Sequence, residues 1–171
     1  MQQHLITPND VKKNTREVAK LVSENKILIY IEESENLDIK PALGDSLFLD
    51  VISDPEKYSD LLDGCEYETR NGNKRVFLGL KKSICYYSYA RLMKNGDYNV
   101  NRFGTSNKDS EYSSNTDYKE KVIAYNDAFD VADRYLKECV LYLNENKDRY
   151  PLYRGKGGLR SNRTIYRVLG D

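Results

Sequence analysis

The stretch TDYKEKVIAYNDAFDVADRYLKECVLYLNEN, residues 116–146, decides the fold class of this chain. Its apolar residues recur at alternating steps of four and three, the spacing that places side chains on one face of a helix. The main seam, predicted to face the core of a helical bundle, consists of Tyr118, Val122, Tyr125, Phe129, Ala132, Leu136, Cys139 and Leu143. A thinner second stripe, on which a partner could pack, consists of Ala124, Ala128, Val131, Tyr135 and Tyr142. Such a helix would be roughly 45 Å long at about 1.5 Å per residue.

A second apolar helix is predicted upstream, over residues 77–94, and Asn95-Gly96 would end it. Its apolar and aromatic residues cover most of its circumference, which indicates burial on several sides. One of those sides could be covered by a second chain. The residues concerned are Leu80, Ile84, Cys85, Tyr86, Tyr87, Tyr89, Ala90, Leu92 and Met93.

The N-terminal third predicts shorter helices. Thr7 and Pro8 are typical of a helix start, and helical spacing continues through Val11, Thr15, Val18 and Val22. An acidic helix follows over residues 26–37, although its apolar run at 27–31 is also compatible with a buried strand. On this helix Ile27, Leu28 and Ile31 are predicted to face inward, and Glu32, Glu33 and Glu35 outward.

Turn residues divide the next part of the chain. Pro41 is predicted to open a short helix that ends at Asp54-Pro55, and a further turn ends at Gly64. Asn71-Gly72, whose residues favour positive φ, predicts a β-hairpin over residues 65–77. Residues 97–115 are polar and indicate a loop or a loose second hairpin.

Charge is balanced overall but separated along the chain, with 27 basic and 27 acidic residues. Residues 24–66 hold twelve acids and three bases, and residues 67–103 hold eight bases and two acids. Separated charges allow copies to meet head to tail, or the two regions can face each other within one fold. Together with two tyrosines of the second stripe, the first alternative predicts a subunit interface of Glu32, Glu33, Glu35, Arg70, Lys74, Arg75, Tyr135 and Tyr142.

The C-terminal segment is predicted to be a flexible basic arm. A glycine-rich stretch at 155–162 precedes a short apolar and basic stretch with strand character at 164–169. Such an arm can add itself to a sheet edge or groove of a neighbouring chain. The arm residues predicted to make this interaction are Arg154, Lys156, Arg160, Arg163, Ile165, Tyr166, Arg167, Val168 and Leu169.

No catalytic or metal site is predicted. The only histidine, His4, is far in sequence from the three cysteines, whose odd number and spacing do not favour a disulfide framework and fit a reducing compartment. We therefore expect no enzyme activity, no metal and no cofactor. The 15 tyrosines suit surfaces that become covered in a complex, or they are ordinary core residues. No membrane span is expected.

These patterns predict a mostly α fold: a helical bundle with a long C-terminal helix, a small β-hairpin and an extended C-terminal arm. Residues 1–153 would form the helical domain and residues 154–171 the arm.

The order of the segments resembles the head–tail connector, or adaptor, proteins of tailed bacteriophages and related prophages. The acidic helix leads into IKPALGDSL (39–47), followed by a hairpin, the helix GLKKSICYYSYAR (79–91), NRFG (101–104) and a long final helix. The resemblance covers residues 5–150 and excludes the segment after Tyr153.

The resemblance implies a structural subunit of a connector ring that joins the portal to the tail and extends the DNA channel. Its expected partners are about a dozen copies of itself in a closed ring, the portal, and a downstream tail or second adaptor protein. Non-specific contact with channel DNA is a further expectation. The expected location is the head–tail junction of the virion, and the host cytoplasm during assembly. The alternative is a small nucleic-acid-binding regulator that uses the basic hairpin and tail.

Overall fold

The computed structural model describes residues 4–18, 22–96, 98–101, 104–107 and 118–154. The described chain is mostly helical, as predicted. The α-helices are α1 (Pro8–Asn14), α2 (Glu24–Ser34), α3 (Lys40–Leu43), α4 (Asp45–Ser53), α5 (Ser59–Asp63), α6 (Leu80–Asn95) and α7 (Tyr118–Glu145). A π-helical segment (Glu35–Ile39) joins α2 to α3, and a 3₁₀ turn (Glu56–Tyr58) precedes α5.

The core is built on the antiparallel pair α6 and α7. Ser83 on α6 donates a 3.0 Å hydrogen bond to the carbonyl of Ala132, while Lys94, at the other end of α6, lies over the ring of Tyr125. Small residues at the contact, Ala128 and Ala132, let the helices approach closely, and both are fully buried. The prediction that α6 is buried on several sides is confirmed, and α1, α2, α5 and α7 of the same chain cover it.

The two stripes predicted on α7 have different outcomes. Of the main seam, Ala132, Leu136, Cys139 and Leu143 are buried, and Val122, Tyr125 and Phe129 are half-buried. The second stripe was expected to accept a partner, but Ala128 and Tyr142 within it are fully buried. α6 covers Ala128, and the rings of Tyr67, Phe77 and Tyr150 pack on Tyr142.

The first helix starts where the sequence predicts, and α2 begins at Glu24, two residues before the predicted start. Thr7 and Asp10 form a capping box at the start of α1. α1 ends at Asn14, however, because Thr15 is extended, so the helical spacing read through Val22 does not describe one helix. The stretch at 27–31 is helical and not a strand.

Glycines with positive φ separate the helices that follow. The predicted helix from Pro41 to Asp54 is two helices, because Gly44 (φ 82°) breaks it between α3 and α4. Gly64 (φ 94°) ends α5 as predicted. A Cβ on Gly64 would lie 2.3 Å from the Phe77 carbonyl oxygen, so the chain after α5 passes directly against the segment before α6.

The predicted hairpin over residues 65–77 is present, and of the two alternatives for residues 97–115, a loop or a loose second hairpin, the structure shows a hairpin. β1 (Cys65–Glu68) pairs antiparallel with β2 (Lys74–Phe77), and β3 (Tyr98–Asn101) pairs antiparallel with β4 (Gly104–Asn107). The first turn differs from the expectation, since only Gly72 (φ 78°) has positive φ. Thr69 N–H bonds the Asn73 carbonyl and Gly72 N–H bonds the Thr69 carbonyl, which is the pattern of a three-residue loop.

Many tyrosines belong to this chain's own core. Tyr30, Tyr58, Tyr87, Tyr89, Tyr142, Tyr150 and Tyr153 are all buried. The alternative that the tyrosines are ordinary core residues therefore holds for these seven. The predicted C-terminal arm beyond Arg154 lies outside the described residues.

Candidate functional site

Glu35 is not on the outer face of the acidic helix, where the sequence analysis placed it. Its side chain is buried, with the residue 3% exposed; it accepts a hydrogen bond from the Leu5 N–H at 2.7 Å, and its other oxygen is hydrogen-bonded to His4 Nδ1 at 2.8 Å. Burial raises the pKa of Glu35, and the bonds from His4 and Leu5 act against that rise. The carboxyl group therefore fastens the N-terminal segment to the core and is unavailable for an interface.

Glu33 is held within the chain by Arg91 of α6. Arg91 Nε lies 3.4 Å from Glu33 Oε2, and Arg91 Nη1 lies 2.8 Å from Asp38 Oδ2. The Asp38 contact is an ion pair without hydrogen-bond geometry, since Oδ2 has no hydrogen-bond donor among the described residues. Burial raises the pKa of Asp38 although Arg91 opposes it. Arg91 thus neutralises part of the acidic region from inside the fold.

The outer face of α2 retains one of the three predicted glutamates. Glu32 is exposed. Two large apolar side chains are exposed on the same helix and its π-helical extension, Ile29 at 56% and Leu37 at 63%. This face therefore combines a carboxylate with two exposed apolar side chains.

The hairpin β1–β2 carries the predicted basic residues Arg70, Lys74 and Arg75, and all three are exposed. The register pairs Lys74 with Glu68 and Val76 with Glu66. Because paired residues lie on the same side of a hairpin, two carboxylates share the side that holds Lys74. The hairpin is therefore less basic as a surface than its sequence indicates.

A groove of about 170 Å³ lies between this hairpin and α7. Its lining includes Tyr67, Arg75, Val76, Glu138 and Leu141. Val76 and Leu141 are exposed, so apolar surface is available there beside charges of both signs. The sequence analysis missed this groove because it forms only when the hairpin packs on the last turns of α7.

The two tyrosines predicted at the interface differ. Tyr142 is fully buried and its hydroxyl lies 3.0 Å from that of Tyr150, so it belongs to the core and the prediction for it is wrong. Tyr135 is half-buried, and its ring lies 5.7 Å from that of Tyr86. Tyr135 remains accessible beside α6.

Arg154 is the one residue of the predicted arm that the structure describes, and it is exposed. With Leu152 it borders a groove of about 240 Å³ against the Ala42–Ser46 segment. The other predicted arm residues, Lys156, Arg160, Arg163, Ile165, Tyr166, Arg167, Val168 and Leu169, lie outside the described residues.

Part of the separated charge meets within the fold. Lys81 Nζ lies 2.7 Å from Asp63 Oδ1, and Arg91 binds Glu33 and Asp38. The alternative in which the two regions face each other therefore describes these residues. Glu32, Arg70 and Arg75 are exposed and make no ion pair to the described residues.

Two of the three cysteines, Cys85 and Cys139, are not activated nucleophiles in the described structure. Burial raises the pKa of Cys85 to about 12, and burial also raises the pKa of Cys139. A thiolate is the reactive form, so both remain inert thiols at neutral pH. Among the described residues, no group of three or more His, Cys, Asp or Glu side chains could hold a metal ion.

The charged outer face of α7 was not predicted. It runs through Asp127, Asp130, Arg134 and Lys137, with Ile123 before it and Leu141 after it. These residues follow one another at steps of four and three, so a count of polar positions would have revealed the stripe. Within the described residues, no helix combines the length and the apolar character that crossing a lipid bilayer requires.

A known family model matches most of the sequence that forms this helical core. A model of DUF6712, described as a family of unknown function, matches residues 39–163. The chain belongs to the DUF6712 family. The DUF6712 match begins at the last residue of the π-helical segment and includes the first hairpin, α6 and α7, whereas α1 and α2 precede it. No curated protein and no solved structure matches the chain.

Proposed function

We propose that this DUF6712 chain is a structural subunit of a phage head–tail connector ring, which joins the portal to the tail and extends the DNA channel. The observation that carries the proposal is the order of elements from the acidic helix to the long final helix. In the structure these segments are α2, the α3–α4 pair split at Gly44, the β1–β2 hairpin, α6 and α7. This is the order on which the connector resemblance rests.

The described surface supports a role in assembly. Among the described residues nine large apolar side chains are exposed, and two of them, Ile29 and Leu37, lie on either side of Glu32 along the chain. Others, Val76 and Leu141, border the groove between the hairpin and α7. Apolar surface mixed with charge at two separate places suits a subunit that meets different neighbours on different sides.

In this proposal the neighbours are about a dozen copies of the chain in a closed ring, the portal above it, and a tail or second adaptor protein below it. The arm after Tyr153 would reach the portal or the neighbouring subunit. Contact with channel DNA would involve phosphates only and would weaken with salt. The location would be the head–tail junction of the virion.

The proposal is tested by co-expressing the full chain with the portal protein encoded beside it and imaging the purified complex by electron microscopy. A ring of this chain on the portal is the expected result. A chain that never co-purifies with portal and is absent from virions by mass spectrometry would end the proposal. Binding of isolated protein to duplex DNA in a gel shift at moderate salt would favour the regulatory alternative. The carboxylates of Glu66 and Glu68 beside the hairpin bases oppose that outcome.

A further inference from the structure

The exposed stripe on α7 carries its charges in an order that is complementary to itself. Its first half is acidic and its second half is basic, with one exposed apolar residue at each end. Ile123 is 68% exposed and Leu141 is 48% exposed. We call this surface the α7 stripe, and its residues are Ile123, Asp127, Asp130, Arg134, Lys137 and Leu141.

The stripe is symmetric about position 132 of the chain. If a second copy of α7 runs antiparallel with this position as the common centre, each residue of the stripe meets a complementary one. Asp127 then lies opposite Lys137 of the other copy, Asp130 opposite Arg134, and Ile123 opposite Leu141. In a parallel arrangement each residue would meet its own kind, and every charge would face a like charge. Like charges in contact are unfavourable, so the sequence of the stripe selects the antiparallel orientation.

We propose that a second copy of this chain packs antiparallel on the α7 stripe through a two-fold contact. The charges of the stripe favour a second copy as the partner, because a second copy carries the complementary charges for both the acidic and the basic half at the required spacing. The steps of four and three keep all six residues on one face, as in the seam of an antiparallel coiled coil. A two-fold contact is closed and yields a dimer. This inference does not depend on the connector proposal.

Three of the four stripe charges, Asp127, Arg134 and Lys137, are compatible with this contact, and the fourth, Asp130, is exposed but also interacts within its own chain. Arg134 and Lys137 are exposed and make no ion pair inside the described part of the chain. Asp127 already pairs with Arg16, but more than half of its side chain remains exposed. Exposed ion pairs contribute little each and are screened by salt. We therefore expect a weak dimer that dissociates as ionic strength rises.

Disulfide trapping tests the antiparallel register. The variants Ile123→Cys and Leu141→Cys are prepared separately, mixed and oxidised mildly. In the antiparallel pair the two copies of residue 123 are about 27 Å apart along the helix, at about 1.5 Å per residue. The mixture is therefore expected to form a heterodimer linked between positions 123 and 141, while either variant alone gives no more than the wild-type background. A disulfide-linked dimer formed by Ile123→Cys alone would overturn the proposed register.

Charge reversal tests the electrostatic basis. The double variant with Arg134→Asp and Lys137→Asp turns four attractive contacts across the two-fold axis into repulsive ones. We expect it to raise the dimer dissociation constant by more than about tenfold in sedimentation equilibrium at low salt. The matched control, Lys13→Asp with Lys147→Asp, makes the same charge change at exposed positions away from the stripe and should dimerise as the wild type does.

Two further outcomes decide the inference separately from the connector proposal. A 1:1 mixture of the Arg134→Asp/Lys137→Asp variant with one carrying Asp127→Lys and Asp130→Lys should form a heterodimer, because the two reversed stripes attract each other. A wild-type chain that stays monomeric at hundreds of micromolar and low salt would overturn the α7 contact, whether or not the chain binds portal. Circular dichroism of each variant confirms that α7 is intact.

Discussion

The Glu35 carboxyl group is the clearest place to test how the N-terminal segment is held. Replacing Glu35 by Ala removes the acceptor of the Leu5 N–H and the partner of His4. Leu5 and Ile6 are buried, so water cannot replace the lost acceptor without opening the segment. A buried donor left without a partner costs about 1–3 kcal/mol.

The expected loss of unfolding free energy for Glu35→Ala is about 2 kcal/mol, near the middle of that range. For a chain of this size it corresponds to a melting temperature lower by about 4–8 °C. Urea unfolding followed by circular dichroism measures the loss, and the slope of free energy against urea should be unchanged. A loss under about 0.5 kcal/mol, the range of ordinary surface substitutions, would show that the His4–Leu5 contact does not hold the segment.

Glu35→Gln separates the hydrogen bond from the charge. The amide oxygen can still accept from the Leu5 N–H, so we expect this variant to lose less than about 1 kcal/mol. The sign of the pH effect follows from the raised pKa of Glu35. The folded protein holds this proton more tightly than the unfolded chain does. The resulting stabilisation is fully present below the ordinary pKa of 4.5 and is lost as pH rises through the raised value.

Wild-type stability should therefore fall relative to that of Glu35→Gln between pH 4.5 and pH 8, as measured by melting temperature at each pH. If Glu35→Gln at pH 8 is as unstable as Glu35→Ala, the ionised carboxylate itself is required, and the argument from burial is wrong.

Three further predictions concern the core and the arm. Gly64→Ala should destabilise the chain by at least about 2 kcal/mol more than Gly44→Ala in urea unfolding, because both have positive φ but only Gly64 lacks space for a Cβ; equal losses would contradict this. Ala132→Leu should cost about 1–3 kcal/mol by forcing α6 and α7 apart, with Lys119→Leu, an exposed position of α7 outside the stripe, as control; a silent Ala132→Leu would refute the close contact. Deleting residues 155–171 should abolish co-purification with portal, because the proposed arm would make that contact; retained binding would exclude the arm.

The sequence predicted the elements whose signals are local. Thr7 and Asp10 mark the start of α1, Gly64 ends α5, and the Asn71-Gly72 dipeptide places the first hairpin, because each of these acts through its own backbone or near neighbours. Helix lengths depend on less local effects. The break at Gly44 was missed because Leu43 and Leu47 keep helical spacing across it.

The candidate site was predicted less well because burial depends on which elements pack together. Glu35 follows Ile27 and Ile31 at steps of four, so it lies on their buried face, and this signal was overlooked in favour of its charge. Tyr142 could not be assigned from α7 alone. Its burial arises from contacts with Phe77 of the hairpin and Tyr150 after the helix, and neither of these residues belongs to the pattern of α7.

The dimer contact and a ring contact through the groove would both involve the side chain of Leu141, so one chain cannot make both contacts at once. Leu141 ends the α7 stripe and also lines the groove beside the hairpin. A dimer through the stripe would cover Leu141, whereas a ring contact through the groove needs it uncovered. A two-fold contact joins two copies and leaves no equivalent surface for a third. A ring requires a contact that is repeated from each subunit to the next. If both proposals hold, the dimer is the free form and must open before the ring closes. Breaking the stripe with Arg134→Asp and Lys137→Asp should then speed ring formation on portal.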